Sequence, residues 1–157
     1  MALSLLIMNA VVTWFMTGLI WFVQIVHYPL FDSVGSLEFQ SYAVRHRHLT
    51  TMVVALPMIT EITTALLLVI LWKRSDAMLL WVCFALVMAI WICTAFGSVA
   101  CHEKLCTSGF SATTHRWLLT SNWLRTILWT MRSLILAYII YKQVAKPLNA
   151  SDIQGLF

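Results

Sequence analysis

Four stretches of this sequence, residues 2–31, 49–72, 77–101 and 117–141, run almost without charge. Each reaches the roughly 20 apolar residues that cross a bilayer as a helix. Lipid cannot hydrogen-bond an exposed backbone, so a spanning segment must be a helix or a strand of a closed barrel, and barrel strands alternate with period two. These stretches do not alternate. The expectation is an all-α integral membrane protein, a four-helix bundle over residues 1–146 with spans near 5–31, 49–72, 77–101 and 117–141 and a flexible tail over 147–157. A chain of 157 residues with 61% hydrophobic and 10% charged residues and a mean hydropathy of +0.86 agrees, because an ordinary soluble domain carries far more charge.

The first span lacks a basic leading region and is too long for a signal peptide, so it reads as retained. No repeat or low-complexity segment divides the chain, which predicts one domain. The net charge of +4 is small and scattered over both ends of the bundle. Nucleic acid is therefore not an expected partner; the lipid bilayer is, with anionic headgroups as counter-charge. Lys73, Arg74, Lys142 and Lys146 at the end carrying the termini balance Arg45, Arg47, Lys104 and Arg116 at the other. The segment holding Arg45 and Arg47 is expected to fold back onto the bundle, which tips the assignment towards cytoplasmic termini in a cell (inner) membrane. Trp14, Trp21, Trp72, Trp81, Trp117, Trp123 and Tyr141 are expected as interfacial or packing aromatics.

Charge inside the spans is the next constraint. Glu61, Arg125 and Arg132 lie within apolar stretches, where each charge costs about 2.5 kcal/mol or more and calls for a partner, a water-filled cavity or a function. Residues 37–72 read as one helix, because Phe39, Tyr42, His46, Thr50, Pro57 and Glu61 follow spacings of three, four or seven and share a stripe. Pro57 releases one carbonyl and is a place where that helix could kink. Comparable faces are Gln24, His27 and Tyr28 on the first span; Trp91, Thr94, Ser98 and His102 on the third; and Asn122, Arg125, Trp129 and Arg132 on the fourth.

A helical rise of about 1.5 Å per residue converts these positions to heights above the end carrying the termini. Glu61 comes out at about 16 Å and Arg132 at about 14 Å, both near mid-membrane, which predicts a structural ion pair that fixes helix register. Arg125 and Asn122 fall at about 24 and 28 Å, and His27, His46 and His102 at about 33 to 39 Å. A straight helix holds His46 and Glu61 about 22 Å apart, so the two tiers cannot share an ion unless the helix breaks between Thr50 and Pro57.

The upper tier is the candidate site. His27, His46 and His102 come from three spans; neutral imidazoles bind zinc, copper or iron, and a three-His set leaves a position for oxygen, water or substrate. The same residues can serve as general acids and bases without a metal. Arg125 offers a planar donor fork to an anionic or enolate oxygen, with Asn122 one turn away to orient the same group; a pair with Glu103 or helix carbonyls is the structural alternative. His48 and His115 are expected to face solvent. Cys83 and Cys93 read as small packing residues, whereas Cys101 and Cys106, spaced C-x4-C around His102, could be inert, joined in a disulfide or metal-binding. Phosphate-binding, dinucleotide-binding and nucleophile-elbow motifs are absent from the sequence.

Trp117 followed by Asn122, Trp123, Leu124 and Arg125 resembles the Asn-x-x-Arg signature of the anthrone-oxygenase-like small membrane proteins. The layout is similar too: four helices, Pro29 near the end of the first, an aromatic and basic segment from Phe39 to His48, and a polar motif from His102 to Leu105 closing the third. The histidines are not part of that pattern. The resemblance implies oxygenation of a hydrophobic, polycyclic or quinol-like substrate. The leading expectation is a membrane oxidoreductase with His27, His46 and His102 as catalytic or metal-binding residues and Asn122 and Arg125 on the substrate. A transporter or channel subunit using Glu61, Arg125 and Arg132, or a non-catalytic accessory subunit, are the alternatives. An oligomer remains open, since small-residue helix contacts are sparse.

Overall fold

The computed structural model describes residues 2–72 and 77–145. Lys73, Arg74, Lys146 and the tail expected over 147–157 lie outside them. Helix α1 (Ala2–Phe22) continues through a π-helical turn, Val23–His27, into a 3-10 turn, Pro29–Ser33. Helix α2 spans Phe39–Leu71. Helix α3 (Ala77–Cys93) passes through a second π-helical turn, Thr94–Val99, into α4 (Ala100–Ser108), and α5 spans Ala112–Val144. No strand occurs among the described residues, and four continuous helical runs, Ala2–Ser33, Phe39–Leu71, Ala77–Ser108 and Ala112–Val144, are long and apolar enough to cross a membrane.

The second run is the single helix expected over 37–72; the first, third and fourth exceed the expected spans at the end opposite the termini, because polar residues there continue a helix instead of forming loops. Pro57 does not break α2, so the condition that would bring His46 and Glu61 together is not met. A short turn joins α4 to α5. Gly109 adopts φ 76°, a conformation that a Cβ disfavours, and the Ser111 hydroxyl accepts the Thr114 backbone N–H at 3.4 Å to open α5.

Helix α1 packs on α2 and α5, and α3 packs on the same two, so α2 and α5 face each other across the bundle diagonal without close backbone approach. Leu6, Ala10, Leu68, Leu80, Leu136 and Ile139 fill the end near the termini, together with Trp72, which packs among them. Met16, Ile20, Met58, Ile90 and Trp129 fill the middle, while Tyr28, Phe31, Phe39, Leu105 and Leu118 close the far end. Outward positions stay apolar, among them Leu56, Ile70, Trp81, Phe96 and Leu134. This is the pattern of helices whose outer faces meet lipid.

The diagonal is spanned by charge. Arg132 Nη1 lies 3.5 Å from Glu61 Oε1, and both residues are fully buried. The carboxylate also accepts the Thr13 hydroxyl at 2.7 Å and the Trp129 indole N–H at 3.1 Å. Arg132 Nη2 donates to Asn9 Oδ1 at 2.7 Å, and the Asn9 amide donates to the Glu61 backbone oxygen at 2.9 Å and to Thr64 Oγ1 at 2.7 Å. Three helices are thereby tied by one ion pair and its hydrogen bonds. Removing one buried charge strands the other, a loss of about 3 to 5 kcal/mol. Arg132→Met is therefore expected to lower the melting temperature of the detergent-solubilised protein sharply, and Glu61→Gln added to Arg132→Met to restore part of it. Equal melting temperatures for wild type and Arg132→Met would contradict a structural ion pair.

Candidate functional site

Two local departures from α-helical geometry build the site. Pro29 has no N–H to give the carbonyl four residues back, and its ring crowds that carbonyl, so the preceding turn widens. The Tyr28 N–H accordingly donates to Val23 O at 2.9 Å, five residues back. The widened turn directs Gln24, His27 and Tyr28 into the bundle. In the third span the turn Thr94–Val99 contains the adjacent pair Gly97 and Ser98, residues that favour helix distortion, and it delivers Ser98 and then His102 to the same place.

His27 Nε2 and His46 Nδ1 are 3.0 Å apart, with the Thr50 hydroxyl 3.2 Å from the same His46 nitrogen. The His46 ring centroid is 5.2 Å from that of His102, whose Nε2 lies 2.9 Å from the Tyr28 hydroxyl. The result is two hydrogen-bonded pairs side by side, His27 with His46 and Tyr28 with His102. Fully buried Phe31 stands against His27 at 5.4 Å and His46 at 5.1 Å and keeps the rings packed. His115 is buried, contrary to the solvent-facing expectation: its Nε2 donates to the Tyr28 carbonyl at 2.7 Å, fixing the backbone that carries the phenol. His48 is exposed.

Arg125 sits just beneath these rings. Its Nη1 donates to the Asn122 side-chain oxygen at 3.1 Å and, at short range, to the Ser98 hydroxyl. The guanidinium lies over the Trp129 ring, 5.4 Å from its centroid, and the Tyr28 phenol faces it. Glu103 does not pair with Arg125; it pairs with Arg47 near the bundle end.

A cavity of about 710 Å³ runs between the helices from this polar end. His27, Tyr28, His46, Ser98, His102 and Arg125 line its head, and Met16, Ile20, Val54 and Met58 line its apolar body. Phe22 of α1 with Leu49 and Val53 of α2 line it and are themselves exposed, so it opens sideways between those helices. A pocket of this size suits a small apolar molecule with one polar end.

Asn122, expected on the substrate, is fully buried and does not line the cavity. Its oxygen accepts from Arg125 and its nitrogen donates to Gln24 Oε1 at 2.8 Å, so it positions Arg125. The expected three-histidine metal centre is not assembled either. Among the described residues no three His, Cys, Asp or Glu side chains are arranged to share an ion. Cys101 and Cys106 are both free and buried.

Comparison with known protein families, with curated proteins and with solved structures finds no match to this chain.

The Asn122 bridge carries a testable consequence. Asn122→Ala leaves the Gln24 and Arg125 groups short of a partner inside the bundle, at a cost of about 1 to 3 kcal/mol. A lowered melting temperature is expected, with Asn122→Asp retaining more of the wild-type value because the oxygen that receives Arg125 survives. Thermal unfolding monitored by circular dichroism distinguishes the two variants.

Proposed function

We propose that this protein is a membrane-embedded oxidoreductase that uses acid/base chemistry on a hydrophobic, quinol-like substrate entering from the lipid. One observation carries the reading: Tyr28 paired with His102, and His27 paired with His46, stand at the polar head of an apolar cavity inside a membrane bundle. Oxidation of a quinol removes hydroxyl protons as well as electrons. Neutral imidazoles and a phenol within hydrogen-bond reach of one another can accept and pass such protons. The likeness of the Asn122 to Arg125 segment to the anthrone-oxygenase-like proteins supports dioxygen as the oxidant; it takes the two electrons and two protons of the quinol, leaving the quinone and hydrogen peroxide.

The paired side chains can transfer protons without a shared metal ion. The transporter reading receives less support. Glu61 and Arg132 are fully buried and line no part of the cavity, so a path through all three charges has no opening at two of them.

Oxygen uptake by the purified protein in lipid nanodiscs, supplied with alkyl naphthoquinols, tests the proposal. Turnover above empty nanodiscs is expected. Tyr28→Phe and His102→Phe should each lower the rate by about 100-fold or more, the scale of general acid/base catalysis. Absence of turnover across a panel of alkyl naphthoquinols and anthrones would falsify the assignment, as would full activity in both variants.

A further inference from the structure

Charge within the bundle does not balance. Among the described residues the buried charged side chains are Glu61, Arg125 and Arg132, one anion against two cations. Glu61 is committed to Arg132, Trp129 and Thr13. No carboxylate among the described residues pairs with Arg125, which is only 8% exposed. Its Nη1 is held by two neutral oxygens, those of Ser98 and Asn122, and its Nε has no hydrogen-bond partner. Arg132 also has an unpartnered Nε, but Arg132 has its carboxylate and does not line the cavity.

The remaining neighbours cannot supply a counter-charge. The face of Trp129 offers a cation–π contact. That offsets part of the penalty of a buried guanidinium and adds no negative charge. The rings of His27, His46 and His102 are neutral or positive, and the Tyr28 phenol that faces Arg125 is neutral while it keeps its proton. At the cavity mouth the charged groups are Arg45 and Arg47, again cationic, with Arg47 occupied by Glu103. Every formal charge lining this cavity is positive, while its body is apolar.

We infer that the head of the cavity binds an amphipathic acid in its ionised form, with Arg125 as the counter-ion and the Tyr28 and His102 pair donating to the same oxygen. The class comprises acidic enols, phenols and carboxylates bearing an apolar ring or chain. Neutral quinols and alcohols of the same size bind more weakly, because they leave the guanidinium uncompensated. This narrows the substrate class of the site described above and rests on that reading only for the ligand's location.

An alkyl hydroxynaphthoquinone, ionised at neutral pH, and its neutral O-methyl ether share one skeleton and separate charge from shape. Their affinities for the nanodisc-embedded protein can be read by quenching of tryptophan fluorescence, with partitioning into empty nanodiscs subtracted. The ionised compound is expected to bind at least about tenfold tighter, a difference of about 1.4 kcal/mol. Arg125→Gln should abolish the preference and Arg125→Lys should keep part of it. Equal affinities for the wild-type protein overturn the proposal, and so does a preference that survives Arg125→Gln. If Arg125→Gln does not fold, the wild-type comparison decides alone. The outcome is separable from catalysis: anion preference without turnover leaves this site standing and removes the oxidoreductase, whereas turnover without preference does the reverse.

Discussion

The Glu61 carboxylate is the interaction on which the rest of the bundle depends. It sits on α2 at mid-depth and receives Arg132 and Trp129 from α5, across a diagonal where the two backbones do not meet, together with Thr13 from α1. Inside lipid no hydrophobic force draws helices together, since tails and side chains are equally apolar, and association rests on packing and interhelical polar contacts. A carboxylate that must meet a guanidinium, an indole and a hydroxyl at once selects one helix register. Such a buried pair contributes little net stability against an apolar replacement, and specificity of packing is the role we assign it.

Trp129 joins this staple to the cavity. Its N–H donates to Glu61 while its face carries Arg125, so two tiers of charge that helical rise places about 10 Å apart meet on opposite parts of one side chain. Arg125 is then held from below by the indole and from the side by Ser98 and Asn122. A cation fixed in this way faces the cavity without relying on a flexible stem. The rigidity has a further source in Phe31 and His115, which pack and hydrogen-bond the segment carrying Tyr28.

The outer faces follow a simpler rule. Apolar side chains cover most of the perimeter, and α1 is additionally held to α5 by Trp14 donating to the Ser133 carbonyl at 3.3 Å and Trp21 donating to Thr130 at 3.0 Å. The exposed ion pair of Arg47 and Glu103 links α2 to α4 but contributes little to stability, because solvent screens it.

The sequence by itself determined the class of fold, since apolar length fixes helices and lipid forbids any other open backbone. It also determined the Glu61 and Arg132 pairing, because helical rise alone puts two opposite charges at one depth where neither is tolerated singly. The histidines from three spans were legible as a tier at similar heights. What they do to one another was not. An inserted π turn rotates every later side chain by about 100°, and neither Val23–His27 nor Thr94–Val99 announces such a turn by periodicity. Pro29 and the Gly97–Ser98 pair were the available signals. The roles of Tyr28, Ser98 and Phe31 in the site, the burial of His115 and the absence of Asn122 from the cavity lining are consequences of those turns and of packing. Only the tertiary structure decided these, because rotation about the helix axis is set by side-chain packing, whereas depth is set by the count of residues.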